Sequence, residues 1–196
     1  VHSDFGGLTS RIRTSEGLAA PFCADFDQDG DIDCIVGWDG ESVRNSGVQY
    51  WQNSCGSRYC TIDSSTWTKQ GSSDMPWSSS DEFFGAAFDV SLRYPKPFCI
   101  DMDEDGDLDC LVGDADGKVH YLRNDGGPTS PDWSYITSDF FESDVGTFAS
   151  PYCGFGLTDF GVDDDSIAIQ CLVANAAGFV QRFEKTNKVS SAPSFH

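Results

Sequence analysis

Short runs of β-forming residues alternate with polar turns along the chain. Three such runs, at 48–53, 119–124 and 179–183, combine aromatic or aliphatic residues with polar ones, and each follows a turn that contains glycine. Runs of this kind are typical of strands, and no segment has the period of an amphipathic helix. The pattern predicts an all-β protein built from short strands and tight turns.

The predicted strands belong to a repeat. Units begin at Pro21, Pro97 and Pro151, and each is about 50 residues long apart from a Ser-rich insertion at 55–95 in the first. About four antiparallel strands repeating at this length are typical of a β-propeller blade. We therefore interpret the chain as a single repeat domain, with a strand of a flanking blade at 1–20, a first blade at 21–96, a second at 97–150, and a degenerate third at 151–196.

Three blades are fewer than a closed propeller normally has. The end of the chain at 193–195 resembles 131–133, and its start at 4–8 resembles the segment that follows Trp133, so both ends fall at equivalent points of the repeat. We expect either that residues 5–13 complete a blade or that missing sequence or a protein partner supplies further blades. Open sheet edges would otherwise be prone to association.

The charge of the chain is strongly negative and unevenly distributed. Twelve Lys and Arg stand against 32 Asp and Glu, which gives a formal net charge of −20. This balance argues against binding to nucleic acid or anionic membranes, and no apolar run is long enough to span a bilayer. Many of the acidic residues lie in two blocks, at 25–33 and 101–109.

The alternating aspartates of the two blocks predict two calcium sites. Closely spaced carboxylates suit a hard cation that takes six to eight oxygen ligands, and Gly30 and Gly106 permit the sharp turn after the third ligand. The predicted ligands of the first site are Asp25, Asp27, Asp29, the backbone carbonyl of Asp31, and Asp33. Those of the second site are Asp101, Asp103, Asp105, the backbone carbonyl of Asp107, and Asp109.

Other interpretations of the acidic loops fit less well. An EF-hand needs a glutamate at position twelve of the loop, where this chain has Val36 and Val112 inside apolar runs. Magnesium prefers fewer carboxylates, and the chain has no Cys/His cluster of the kind that binds zinc. Solvated acidic turns without an ion remain the alternative. The predicted ion has a structural role, since no open Lewis-acid site or nucleophile accompanies it.

The motif at 21–37 and 97–113, Pro-x-Cys-x-Asp-x-Asp-x-Asp-Gly-Asp-x-Asp-Cys-x-Val-Gly, is followed by an aromatic strand and, in the second unit, by Pro-x-Trp. This pattern resembles the FG-GAP/VCBS repeat, which builds the propeller heads of integrin α chains and many secreted propellers. The resemblance implies a calcium-binding propeller that presents its loops to another protein. The chain departs from the family at the two cysteine positions, where Phe or Leu is usual.

The third unit lacks the acidic motif. Alignment on the cysteines puts Phe155 at the place of the first ligand and Gln170 at the place of the last. Asp159, Asp163, Asp164 and Asp165 lie between them in a different register. We expect no site of the same type there, and at most a weak surface cation at 163–165.

The eight cysteines predict disulfides and hence an oxidising compartment. Residues just outside a hairpin loop face each other across the two strands, within disulfide reach. The predicted pairs are Cys23–Cys34, Cys99–Cys110, Cys153–Cys171 and Cys55–Cys60. Buried free thiols are the alternative. The even number of cysteines favours a secreted or otherwise extracytoplasmic protein, with an organelle lumen included.

The preferred function is that of a protein–protein interaction or assembly scaffold rather than an enzyme. The carboxylates are accounted for as metal ligands, and no Ser/His/Asp or Cys/His group stands out. A lectin is the alternative function, with no particular glycan favoured. Trp38 and Trp77, in predicted loops, are candidate contact residues, whereas Trp51, Trp67 and Trp133 are expected to pack inside the blades.

Overall fold

The structure is a computed structural model that describes residues 19–39, 47–55, 67–69, 92–127, 129–155, 169–186 and 194–195 of the 196-residue chain. These residues form twelve strands and no helix. The strands are arranged in three four-stranded antiparallel sheets, none of which closes into a barrel. The predicted all-β class is therefore confirmed.

Each sheet is a simple meander in which successive strands are neighbours. The first sheet contains β1 (Ala19–Ala24), β2 (Asp33–Trp38), β3 (Gly47–Asn53) and β4 (Trp67–Lys69). The second contains β5 (Lys96–Ile100), β6 (Asp109–Gly113), β7 (Val119–Asn124) and β8 (Trp133–Thr137). The third contains β9 (Ser150–Phe155), β10 (Ile169–Ala174), β11 (Val180–Thr186) and β12 (Ser194–Phe195).

One disulfide joins the first two strands of each sheet. The pairs Cys23–Cys34, Cys99–Cys110 and Cys153–Cys171 are opposite each other in the strand register, with Cα atoms 4.1 Å apart in every case. These three predicted pairs are confirmed, and they indicate an oxidising, extracytoplasmic environment. The fourth predicted pair involves Cys60, which lies outside the described residues.

The part of the chain that the structure describes has no helix long and apolar enough to cross a membrane.

Alternation along the strands sends side chains into separate cores on the two faces of a sheet. On β6, Leu111 points toward the third sheet, whereas Cys110 and Val112 point toward the first. The core between the first and second sheets contains Phe26, Ile35, Val48, Tyr50, Leu92, Cys99, Cys110, Val112, Leu122 and Trp133. Trp51 packs with Cys34 and Val36 on the other face of the first sheet, with Trp67 partly buried against them.

The first strands of the three sheets lie side by side, since β1 contacts β5 and β5 contacts β9. A row of aromatic rings follows this line of strands. Phe22 and Phe98 have ring centroids 5.3 Å apart, and Phe98 and Tyr152 have theirs 4.9 Å apart. The three residues occupy equivalent positions, each immediately before the disulfide cysteine of its strand. The repeat in sequence is therefore a repeat in space.

Two glycines allow one sheet to approach the next. A Cβ atom on Gly37 would lie 2.2 Å from the carbonyl oxygen of Pro95, and one on Gly113 would lie 2.2 Å from that of Ala149. Both obstacles are backbone atoms, which cannot swing aside as a long side chain can. The third sheet has Ala174 at the equivalent place, paired with Ser150 as Gly113 is paired with Lys96.

We expect Gly113→Ala to lower the free energy of unfolding by about 1–3 kcal/mol, because the added methyl forces the backbone at Ala149 away from β6. Urea denaturation measures the change. Ala174→Gly is the matched control at the equivalent position of the third sheet, and it should cost no more than about 1 kcal/mol. A Gly113→Ala protein as stable as the parent would contradict this close approach of the sheets.

Candidate metal sites

Each acidic loop brings three carboxylates together at the same end of its hairpin. The loop at 25–32 joins β1 to β2, and the loop at 101–108 joins β5 to β6. One oxygen from each of three side chains lies within 4.8 Å of the other two, in both loops. The first group is Asp25, Asp27 and Asp29, and the second is Asp101, Asp103 and Asp105. A group of this size and chemistry can hold a metal ion.

The two loops have the same backbone conformation. Gly30 and Gly106 adopt φ angles of 95° and 102°, and a Cβ on either would meet no atom within 4 Å. Glycine is therefore needed for its left-handed backbone and not for space. Each of these glycines donates its N–H to the first aspartate of its loop, at 3.1 Å from Asp25 Oδ2 and from Asp101 Oδ2. These hydrogen bonds curl the loop around its own carboxylates.

Some carboxylate oxygens in the loops are buried without a hydrogen-bond donor among the described residues. They include Asp25 Oδ1 and Asp107 Oδ1. The side chain of Asp107 is only 5% exposed, and burial together with the charges of Asp105 and Asp101 raises its pKa. A buried carboxylate oxygen without a donor is costly unless a cation satisfies it. The oxygen atoms of the loops are therefore suited to a metal ion that prefers oxygen ligands.

Asp33 and Asp109, which were predicted only as metal ligands, also accept hydrogen bonds from the third strand of their sheets. They are 0% and 1% exposed, and each accepts a backbone N–H and a tyrosine hydroxyl. Asp33 accepts from Asn53 N at 2.8 Å and from Tyr50 Oη at 2.8 Å. Asp109 accepts from the corresponding groups of the second sheet at 2.8 and 2.9 Å, and from the backbone N–H of Met102 at 3.1 Å. Both carboxylates thus tie their hairpin to the third strand.

The surroundings of these two aspartates make protonation easier than it is for an exposed carboxylate. Burial is the main cause, and it raises the pKa of Asp33 to about 6 and that of Asp109 to about 7. Their role as the last ligands of the metal shell stays a prediction, because the structure brings only three carboxylates of each loop into one group. The predicted carbonyl ligands belong to Asp31 and Asp107, whose side chains are 4% and 5% exposed.

A buried apolar residue stands between the first two carboxylates of each loop. Phe26 is 2% exposed and lies in the core between the first and second sheets, where its ring centroid is 5.9 Å from that of Trp133. Met102 is fully buried in the core between the second and third sheets. Each loop is therefore anchored against the following sheet. Sequence analysis missed these anchors, although both loops have a large apolar residue at this position.

The two loops differ in the side chain that approaches their second carboxylate. In the first, Gln52 of β3 donates a hydrogen bond from Nε2 to Asp27 Oδ2, and Asp27 is 4% exposed. In the second, Arg123 of β7 occupies the equivalent position and forms an ion pair with Asp125. Burial and the charges of Asp105 and Asp101 raise the pKa of the exposed Asp103, against a smaller lowering effect of Arg123. The first loop therefore has a neutral amide beside its second carboxylate, whereas the second has a nearby guanidinium that is paired with Asp125.

The remaining predicted positions fall into two groups. Phe155 is 57% exposed and Gln170 is 7% exposed at the places where the other sheets have their first and last aspartates. The aspartates at 159 and 163–165, the predicted contact residue Trp77, and residues 5–13 lie outside the described residues.

Trp38 was predicted in a loop, and this is wrong. It is the half-buried last residue of β2, because its backbone continues the pairing with β1 and β3.

Comparisons of the chain with protein-family models, with curated proteins and with solved structures found no match.

Proposed function

We propose that the chain is a calcium-stabilised, extracytoplasmic β-propeller module that acts as a protein–protein interaction or assembly scaffold. The observation that carries the proposal is the pair of carboxylate groups with the same geometry, placed at the same end of two neighbouring sheets. Two loops that gather like charges in the same way, each next to a disulfide, are most simply explained by a bound cation in each.

Calcium is the ion that suits this set of donors. All donors are oxygens, several carboxylates meet in one short loop, and the loop curls around them without imposing octahedral geometry. Bound calcium would offset the repulsion among the carboxylates and bridge the start of each hairpin to its end. The ligands we assign are Asp25, Asp27, Asp29 and Asp33 with the Asp31 carbonyl, and Asp101, Asp103, Asp105 and Asp109 with the Asp107 carbonyl.

Two observations support a propeller. The first strands of the three sheets lie next to one another, as they do when four-stranded sheets surround a common axis. The loop motif also resembles the FG-GAP/VCBS repeat, whose members build such rings. The described sheets would then be three blades of a ring that further sequence or a partner completes.

A scaffold is favoured over an enzyme by the placement of the reactive side chains. Among the described residues, the imidazole of His120 is fully buried between Asp114 and Tyr135, with ring nitrogens 3.0 Å from Asp114 Oδ2 and 3.1 Å from Tyr135 Oη. No substrate could reach it without local opening. The three carboxylates gathered in each acidic loop are assigned to calcium, which leaves neither group for acid–base chemistry.

The native mass of the protein, measured with calcium and with a chelator, tests the scaffold proposal. We expect an assembly heavier than the 21.3 kDa chain in calcium, with loss of that assembly after chelation. Asp27→Asn combined with Asp103→Asn should abolish the response to the chelator, since each substitution removes a ligand charge. A stable 21.3 kDa monomer in calcium, unchanged when candidate partners are added, would contradict the scaffold role.

The neighbours of the second carboxylate make the two sites unequal. We expect Arg123→Gln to raise the calcium affinity of the second site about threefold to tenfold, because it removes a positive charge near the ligands and leaves the negative charge of Asp125 unpaired. Gln52→Arg should lower the affinity of the first site by a similar factor. Isothermal titration of variants that keep only one site measures both changes. Equal affinities before and after either substitution would contradict the electrostatic explanation.

A further inference from the structure

The two acidic loops touch each other across the boundary between the first and second sheets. Gln28 Nε2 donates a hydrogen bond to the carbonyl oxygen of Gly106 at 3.2 Å, although the two residues are 78 positions apart in sequence. Gln28 stands between the ligands Asp27 and Asp29, and Gly106 follows the ligand Asp105. Each partner in the contact is therefore directly bonded to a residue whose carboxylate belongs to one of the two groups.

The conformation of Gln28 makes this contact depend on the shape of its loop. Its backbone has a φ of 54°, in the left-handed region that residues other than glycine seldom adopt. The curl of the loop around its carboxylates holds that conformation and directs the side chain to the neighbouring loop. A loop that opened when its carboxylates repel one another would withdraw the Gln28 amide from Gly106.

A second contact joins the loops through the core. Phe26 packs on Trp133 with ring centroids 5.9 Å apart. Trp133 is the strand partner of Asn124, whose backbone N–H lies 2.8 Å from Asp109 Oδ1. Loop 25–32 is thus in contact with the strand pair that holds Asp109, the residue directly after loop 101–108, and packed side chains of this kind can transmit a change in order.

We infer that the two loops bind calcium cooperatively, as one unit that spans both sheets, and that Gln28 is the positioning residue that couples them. This inference rests on the proposed calcium sites. The ion that enters one loop fixes its curl, which forms the Gln28–Gly106 contact and fixes the turn of the other loop. The second ion then binds to a loop that is already ordered, and by linkage each ion raises the affinity for the other by the same factor.

Electrostatics opposes this coupling, so the ionic strength decides whether the net coupling between the two sites is positive or negative. An ion in one loop reduces the negative field that attracts a cation to the other. This opposing effect weakens as salt is added, because the Debye length falls to about 8 Å at about 0.15 M, whereas a hydrogen bond is not weakened by screening in this way. We therefore expect positive coupling of about threefold to tenfold at that salt concentration, in the range of a single hydrogen bond.

Isothermal titration with Ca²⁺ in about 0.15 M salt tests the coupling in the full chain. Asp103→Asn leaves only the first site and Asp27→Asn only the second, so these variants give the intrinsic affinity of each. The product of the two constants in the parent, divided by the product of the intrinsic constants, is the coupling factor. Gln28→Asn keeps the amide and tolerates the left-handed backbone, but its side chain is too short to reach Gly106.

The coupling factor should be about three to ten in the parent and fall close to one in Gln28→Asn. Gln181→Asn is the matched control, because Gln181 makes the same kind of exposed contact, from Nε2 to the Asp144 carbonyl, in the third sheet. It should leave the factor unchanged. A factor of one in the parent, or an unchanged factor in Gln28→Asn, overturns the coupling while leaving the calcium sites in place. Absence of calcium binding overturns both.

Discussion

Replacing Phe26 with alanine is expected to lower the free energy of unfolding by about 3–5 kcal/mol, although the residue lies in the middle of an acidic loop. Its ring is 2% exposed and packs edge-on against Tyr50 and Trp133, with centroids 5.8 and 5.9 Å away. Alanine would leave a cavity between the first two sheets, and the rings around it belong to two different sheets and cannot readily close it.

The same substitution should weaken calcium binding at the first site, because Phe26 fixes the backbone between Asp25 and Asp27. Urea denaturation in calcium measures the stability, and titration of the folded variant measures the affinity. Phe155→Ala is the matched control, since Phe155 follows its strand cysteine at a similar distance but is 57% exposed. Its effect should stay within about 0.5 kcal/mol.

Phe26→Leu serves if the alanine variant does not fold. Leucine fills part of the space, so the loss should be smaller than for alanine and the protein should remain measurable. A Phe26→Leu or Phe26→Ala protein as stable as the Phe155→Ala control would contradict the role of this ring as an anchor between the sheets.

The sequence predicted the strands and the three hairpin disulfides because both depend on local pattern. Residues next to a hairpin loop oppose each other whatever surrounds them, so Cys99 and Cys110 could be paired from their positions alone. The carboxylate groups were predictable for the same reason, since alternate aspartates followed by glycine curl into one loop. These features need no knowledge of how one sheet packs on the next.

The features that the sequence did not reveal all arise between sheets or between distant strands. Phe26 and Met102 look like loop residues, and only contact with the following sheet buries them. Asp33 was assigned to the metal alone, but the third strand brings Tyr50 and the Asn53 amide to its oxygens. The recurrence of a large apolar residue between the first two carboxylates was the one available signal, and it is visible only when the repeats are compared.

Trp38 illustrates the converse error. It was placed in a loop, but β2 extends to Trp38 because the pairing with Ala19 and Gly47 continues that far. A residue at the end of a paired strand is held by its backbone, and its half-buried ring offers less contact area than a loop residue would.

Removing calcium with a chelator is expected to cost about 5 kcal/mol of stability when calcium was present at about 100 times the dissociation constant of each site. Each site then contributes about 2.7 kcal/mol through mass action alone. The metal-free loops also keep three carboxylates within 4.8 Å of one another, so their repulsion opposes the curled conformation. Thermal denaturation with and without chelator measures the loss as a fall in Tm.

The disulfides determine which part of the structure loosens first when calcium is removed. Each hairpin stays closed at its cysteines, whereas the anchors Phe26 and Met102 depend on the curl of the loops, so chelation should loosen the packing between sheets before it separates strands. Near-ultraviolet circular dichroism, which reports the packing of aromatic rings, should therefore change at a lower temperature than the far-ultraviolet signal of the strands.

Asp27→Asn with Asp103→Asn should behave like the chelated protein. Asp116→Asn with Asp139→Asn removes the same charge from exposed positions outside the loops and should keep the full response to calcium. Equal Tm values with and without chelator in the parent would show that the acidic loops hold no stabilising ion.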